Sequence, residues 1–211
     1  MSEKISLKAL ERSLYRDSIQ DGIIDIQIGC VLSMLAIAPL LSKTLGDFWS
    51  SMVFLPFFAV IFLGLKAIRK NHIQPRIGKV KYGSYRKKLL KRLNWIILVF
   101  NVIALGLGIL SFFQFSSLPD WIPTAWLSIL LLIGFSLAGY MLELPRFYLY
   151  GILVPLAPLI GEYLYQTAGA SHHGFPITFG ITSVGLILTG LIIIFRIMQK
   201  YPKPAQEDLH E

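Results

Sequence analysis

The stretch DGIIDIQIGCVLSMLAIAPLLSK, residues 21–43, sets two carboxylates at the edge of a long apolar run. The run has roughly the ~20 residues that a helix needs to cross the hydrocarbon core of a bilayer. Pro39 and Lys43 end it, and no small-residue cleavage site follows, as would be expected after a signal peptide. We therefore interpret this segment as a complete membrane span, with Asp21 and Asp25 in its first turns.

The rest of the 211-residue chain has the same character, because 55% of its residues are hydrophobic and only 15% are charged. Soluble domains usually carry about 25% charged residues. Six apolar blocks approach the length of a membrane-crossing helix, and they lie near residues 22–41, 48–68, 94–115, 122–141, 147–165 and 174–196. The composition therefore predicts an all-α fold, an integral membrane six-helix bundle formed by residues 21–198.

The distribution of charge predicts the orientation of this bundle. No acidic residue lies between Asp47 and Asp120, whereas that interval holds eleven lysines and arginines, most of them in the connection between spans two and three. Cytoplasmic loops carry an excess of such residues. This basic loop is therefore predicted to be cytoplasmic, with both chain termini inside, in the inner (cytoplasmic) membrane of a cell. We interpret its charge as a topology signal and not as a nucleic-acid site.

The same loop is predicted to contact anionic lipid headgroups, to which each nearby lysine or arginine contributes about 1 kcal/mol of binding free energy. The residues that we expect to make this contact are Lys87, Lys88, Lys91 and Arg92. The partners expected from the sequence are the lipid bilayer and its headgroups. A second copy of the chain, in a homo-oligomer, or another membrane protein is a further candidate.

Two shorter segments flank the predicted membrane domain. Residues 1–20 carry leucines at helical spacing with cationic side chains on the other faces, which predicts an amphipathic interfacial arm on the membrane surface. A short cytosolic helix packed on the basic loop is the alternative for this arm. Residues 199–211 contain two prolines and are predicted to form a flexible cytoplasmic tail.

Four charged residues are candidates for an ion site on the cytoplasmic side. Asp21 and Asp25 lie in the first span, and Glu143 and Arg146 lie in the turn before the fifth. A helix N-terminus favours carboxylates, and an arginine that reaches them allows their burial in a membrane. The pattern favours an ion-paired structural anchor, and the alternative is a cation or proton site.

Polar side chains recur at helical spacing inside two later spans. Asn101 lies in the third span, and Thr178, Thr182 and Thr189 follow one face of the sixth. Small and weakly polar residues are typical of seams where membrane helices touch. The alternative is that these faces, together with span one, line the path of a carrier or channel.

The fifth span contains Pro155 and Pro158, which predict a kink or a broken helix. Glu162 near its end, with His172 and His173 in the next connection, is a metal candidate on the outer side, and an ordinary exposed loop is the alternative for the histidines. The sequence holds no phosphate-binding glycine loop and no HExxH, GxSxG or CxxC motif. We therefore assign no catalytic residue and no cofactor.

The stretches YRDSIQDGIIDIQIG (residues 15–29) and PRIGKVKYG (residues 75–83) resemble small prokaryotic multi-pass membrane proteins that share an N-terminal DG-x-x-D-I motif and a PR-x-G-x-V-K loop. The resemblance extends from the arm through the third span. It implies a helical fold in a prokaryotic membrane, and it implies no activity.

The leading functional prediction is a non-enzymatic bundle that binds lipid or a membrane partner. The first alternative is a small-solute or ion carrier or channel with a path lined by spans one, three and six, and the second is a membrane-embedded enzyme. Proton-coupled carriers usually place a carboxylate deep in the membrane. Asp25 and Glu162 lie near the ends of their spans, which argues against a proton pump.

Overall fold

The computed structural model describes residues 20–77, Pro119, residues 121–201, and residues 91–109 with the exception of 93, 97, 101, 104, 107 and 108. Nearly all of the predicted arm and the tail beyond Tyr201 lie outside the described residues, as do the candidate residues Lys87, Lys88 and Asn101.

Five helices in the described residues are long and apolar enough to cross a membrane. Their α-helical parts are α1 (Ile23–Leu45), α2 (Phe54–Ile68), α3 (Trp121–Leu142), α4 (Arg146–Ala168) and α5 (Phe175–Lys200). At the rise of an α-helix, the 23 residues of α1 extend about 35 Å, which exceeds the ~30 Å of a bilayer core. No strand occurs in the described part of the chain. The prediction of an all-helical membrane protein is therefore confirmed.

The helix α2 is the centre of a longer helical segment, Phe48–Arg76. The short helix Asp47–Met52 precedes it, and after it the chain forms a π-helical turn, Arg69–Ile73, and a last turn, Gln74–Ile77. A π-helical turn has a wider i→i+5 repeat, so it changes the register of the side chains that follow α2.

The predicted third span, 94–115, is described only in part. The described residues from 91 to 109 are helical, and several of their apolar side chains are exposed, including Val102 and Leu105. The sixth membrane crossing, the orientation with both termini inside and the course of the basic loop stay predictions.

The helix α4 continues without a break through Pro155 and Pro158, both of which are buried. Each proline removes one backbone N–H donor from the helix. Membrane helices tolerate such prolines because neighbouring groups satisfy the backbone that is freed. The broken-helix alternative for this span is therefore wrong.

The chain divides into two compact units. Unit 1 comprises residues 1–81 and 183–211, and so contains α1, α2 and the C-terminal part of α5. Its apolar core is formed by Ile23, Ile26, Cys30, Leu65, Ile73 and Ile194.

Unit 2 comprises residues 82–182, with α3, α4 and the first turns of α5. The helices α3 and α4 are antiparallel neighbours across the tight turn at residues 143–145, and the small residues Gly139 and Gly151 let them approach closely. Their buried contact includes Phe147, Tyr150 and Val154.

Large apolar side chains on α2 are exposed, and Val60 in its middle keeps 71% of its surface accessible. An apolar surface of this extent would be unfavourable in water. Lipid tails are the surroundings that suit it, which agrees with the length of the helix.

Candidate functional site

The N-terminus of α1 in unit 1 is built around the buried carboxylate of Asp21. Its Oδ1 accepts a hydrogen bond of 3.1 Å from the backbone N–H of Ile23, and its Oδ2 lies 2.9 Å from Nε of Arg69. The side chain of Asp21 is only 1% exposed, whereas that of Arg69 is 35% exposed. The partial positive charge of the helix N-terminus favours the carboxylate in addition to the guanidinium. Asp21 thus satisfies one backbone N–H at the start of α1 and is one half of an ion pair.

Gly22 allows this carboxylate to lie inside the unit. It adopts a left-handed conformation with φ of 80°, which suits glycine because a Cβ would clash. Gly22 also lies against Gly190 of α5. A Cβ added to Gly190 would lie 2.6 Å from the carbonyl oxygen of Gly22 and 2.6 Å from Cγ1 of Ile26. The two glycines therefore bring the start of α1 and the backbone of α5 into direct contact.

The contact between α1 and α5 continues along the same face of α1. Ser183 Oγ donates a hydrogen bond of 2.8 Å to the carbonyl oxygen of Gly29. A Cβ on Gly29 would lie 2.6 Å from Cγ1 of Ile187. Asp25, one turn before Gly29, is fully buried. This side of α1 is a tightly packed helix seam.

Arg76 closes the same end of unit 1. Its Nη1 donates hydrogen bonds to the carbonyl oxygens of Met198, at 2.6 Å, and Tyr201, at 3.2 Å. The last carbonyls of a helix have no partner within the helix, and cationic side chains commonly satisfy them. Arg76 therefore ties the chain after α2 to the C-terminus of α5.

Exposed cations surround this end of unit 1. We define the basic end as the side chains Lys66, Lys70, Arg196 and Lys200, all of which are exposed. Among the described residues of unit 1, the carboxylates of the same end, Asp21 and Asp25, are buried. The charge presented to the surroundings by the described residues of this end is consequently positive.

The opposite end of α1 carries Lys43, an exposed cation in the last turn of the helix. Lys43 and Asp25 are separated by roughly 27 Å along the axis at the rise of an α-helix. The charged residues of α1 thus lie near its two ends, at a separation close to the thickness of a bilayer core.

The predicted ion site of four residues is divided between the two units. Asp21 and Asp25 belong to unit 1, and Glu143 and Arg146 belong to unit 2. Glu143 lies in the turn between α3 and α4 with a φ of 56°, and Arg146 is the first residue of α4. Each pair is described within its own unit, so a common site for all four stays a prediction.

The metal candidate in unit 2 has two of its three residues in contact. Nδ1 of His173 lies 2.8 Å from Oε2 of Glu162, and Nε2 of Gln166 donates to Oε1 of Glu162 at 2.9 Å. His172 is the next residue along the chain, in a left-handed conformation. Within the described residues there is no group of three or more His, Cys, Asp or Glu that could hold a metal ion.

The threonines proposed as a pathway lining bond to their own helix. Thr178 donates to the carbonyl oxygen of Gly174, Thr182 to that of Thr178, and Thr189 to that of Gly185, each one turn back. These hydroxyl donors are satisfied within the helix or at its start. The threonine hydroxyls therefore do not require water in a path beside them to satisfy their hydrogen-bond donors. Asn101, the other predicted lining residue, lies outside the described residues.

The sequence reading missed three residues of this site. Arg69 and Arg76 were grouped with all other cations of the basic loop, and Gly190 was not considered. Their partners, Asp21, Met198 and Gly22, are far away along the chain. The sequence offered one signal. Both motifs of the resemblance place a charged residue beside a residue with an unusual backbone preference: Asp21 precedes Gly22, and Arg76 follows Pro75.

Comparisons with protein-family models, with curated proteins and with solved structures find no match to this chain. The features of unit 1 that bear on its function are the ion-paired start of α1, the tight seam between α1 and α5 and the exposed basic end.

Proposed function

We propose that this protein is a non-enzymatic helical membrane protein that binds anionic lipid headgroups at the basic end of unit 1. The observation that carries the proposal is the exposure of Lys66, Lys70, Arg196 and Lys200 at an end where the described carboxylates are buried. Headgroup phosphates are the anions that a bilayer offers at the ends of its spanning helices.

The cations of this end have two different environments. Arg69 is paired with Asp21, and Arg76 is bonded to two backbone carbonyls, so both guanidinium groups are engaged inside the protein. Lys66, Lys70, Arg196 and Lys200 are exposed. The first set supports the fold, and the second set is left to interact with phosphates.

The proposal includes the location and orientation expected from the charge pattern. The basic end faces the cytoplasm of a prokaryotic cell, and the protein crosses the inner membrane six times. Lys91 and Arg92, which belong to unit 2, are also exposed, and we expect them, with Lys87 and Lys88, to contact anionic headgroups in their own right. A homo-oligomer or a second membrane protein could share the basic end of unit 1.

The carrier and enzyme alternatives have less support. The hydroxyls of the threonine stripe bond to their own helix, and the seam of Gly22, Gly29 and Ser183 packs without a gap at those glycines. No group of converging metal-binding side chains occurs in the described residues.

The test measures lipid selectivity of the intact protein in phosphatidylcholine nanodiscs. Spin-labelled phosphatidylglycerol and spin-labelled phosphatidylcholine are compared by the fraction that the protein immobilises. The variant K66Q/K70Q/R196Q/K200Q should lower the preference for phosphatidylglycerol at least about fivefold, which corresponds to the ~1 kcal/mol of a single cation.

The matched comparison uses single substitutions in unit 1. Lys70→Gln should lower the preference for phosphatidylglycerol more than Lys43→Gln, because Lys43 lies at the other end of α1. The preference of the wild type should also fall with added salt, since exposed charges are screened. An unchanged preference in the four-residue variant would remove the proposal.

A further inference from the structure

The connection between α4 and α5 in unit 2 has an unusual backbone. His172, His173 and Gly174 are consecutive residues in the left-handed region, with φ of 52°, 54° and 64°. Residues with a Cβ visit this region at a free-energy cost and normally one at a time. Such strain persists only where the surrounding structure holds it in place. We call residues 171–174 the histidine turn.

One side-chain contact, with Glu162 of α4, holds the histidine turn in place. His173 Nδ1 lies 2.8 Å from the carboxylate of Glu162, which is 4% exposed. Gln166, one turn later on α4, donates to the other oxygen of the same carboxylate and so orients it. The ring of Tyr165 lies against the imidazole, with 4.5 Å between the ring centroids.

The backbones of the turn and of α4 also touch. A Cβ on Gly174 would lie 2.5 Å from the carbonyl oxygen of Gly161, and a Cβ on Gly161 would lie 2.6 Å from that of His173. Thr178 in α5 donates to the carbonyl oxygen of Gly174 at 3.2 Å. The turn therefore rests on α4 at its second half, and the first turn of α5 is fixed to it.

We propose that the histidine turn is a conformational clip with a closed and an open state, and that the Glu162–His173 contact is its catch. In the closed state the contact offsets the strain of the two left-handed histidines. When the contact is lost, the strain favours an open turn in which the start of α5 is released from α4. The catch and the strained residues all belong to unit 2, and none of them is a cation of the basic end.

The test is hydrogen exchange of the full-length protein in nanodiscs, read for the amides of residues 170–175 and, as a fold control, for those of residues 150–158. Glu162→Leu removes the carboxylate that contacts His173 and Gln166, and it places an apolar side chain of comparable size in the same buried position. It should raise the exchange of residues 170–175 at least tenfold and leave residues 150–158 unchanged. Tyr163→Leu, at the exposed neighbouring position, is the matched control and should leave both segments unchanged.

The decisive variant relieves the strain while the catch is missing. Adding His172→Gly to Glu162→Leu removes the Cβ from a left-handed position, so exchange should return at least threefold towards the wild-type rate. Unchanged exchange in Glu162→Leu, or no rescue by His172→Gly, would overturn the proposal.

A second variant keeps the test valid if Glu162→Leu also loosens residues 150–158. His173→Leu removes the catch from the turn and leaves α4 intact, and it should raise the exchange of residues 170–175 to the same extent. Wild-type exchange in His173→Leu would then overturn the proposal.

Discussion

Replacing Arg69 by Met would remove the guanidinium that lies 2.9 Å from the carboxylate of Asp21 and keep an unbranched side chain in the π-helical turn. Breaking a buried ion pair from one side costs about 3–5 kcal/mol. Arg69 is 35% exposed, so solvent screening lowers the expected loss in the free energy of unfolding to about 2–3 kcal/mol.

The protein carries its own reporter for this measurement. Cys30 is the only cysteine in the sequence, and it is buried in α1. A thiol-reactive fluorophore therefore reports unfolding in mixed micelles as the fraction of denaturing detergent rises. Lys70→Met, at the exposed neighbouring position, is the matched control and should change the free energy of unfolding by less than about 0.5 kcal/mol.

The double variant separates the ion pair from other effects of the substitution. Asp21→Asn combined with Arg69→Met removes both charges, so its loss should be smaller than the sum of the two single losses by about 1–2 kcal/mol. The reasoning is refuted if Arg69→Met is no worse than Lys70→Met, or if the two single losses simply add.

Three further substitutions in unit 1 test its packing, two with the same thiol assay and one by hydrogen exchange. Gly190→Ala should lower the free energy of unfolding by about 1–3 kcal/mol, because the added Cβ would meet the backbone of Gly22. Gly185→Ala on the same helix, where an added Cβ would meet no atom within 4 Å, should be neutral or stabilising. Equal effects of the two substitutions would contradict the close approach of α1 and α5. Ser183→Ala should cost about 0.5–1 kcal/mol through the lost bond to Gly29, and a neutral result would argue against that seam. Arg76→Gln should raise hydrogen exchange in the last turn of α5 several-fold, and unchanged exchange there would exclude the capping role of Arg76.

The membrane helices were predictable because their length and apolar composition leave few alternatives. The predicted span 22–41 is found as Ile23–Leu45, and the predicted span 174–196 as Phe175–Lys200. The predicted tail from residue 199 begins two residues too early, since α5 continues to Lys200. Of the two alternatives at Pro155 and Pro158, a kink or a broken helix, the broken helix is wrong, because both prolines are buried within α4, which remains continuous.

The partner of Asp21 could not be predicted in the same way. The sequence indicates that a carboxylate at a helix start is favourable and that a cation could reach it. On the sequence alone, Asp21 is grouped with Arg146. The sequence does not single out Arg69 among the eleven cations between Asp47 and Asp120, because the charge rule for orientation counts them all alike. The choice of Arg69 depends on the π-helical turn after Ile68, which has no clear pattern in the sequence.

The close approach at Gly22 is a second feature that only the structure shows. Gly22 and Gly190 have 167 residues between them. No residue next to either glycine indicates that the two are in contact. The face of α5 that the sequence analysis singles out is the one that carries Thr178, Thr182 and Thr189. On α5, the residues that contact α1 are instead Ser183, Ile187 and Gly190.

We expect the exposed apolar surface of α2 to lie in lipid and the cations after it to lie in the headgroup region. A nitroxide placed at Val60, and in a second variant at Lys70, tests this claim in a Cys30→Ala background reconstituted in bilayers. The label at Val60 should be accessible to oxygen and shielded from a water-soluble nickel complex. The label at Lys70 should be accessible to the nickel complex and less accessible to oxygen. Ready access of the nickel complex to Val60 would contradict the claim.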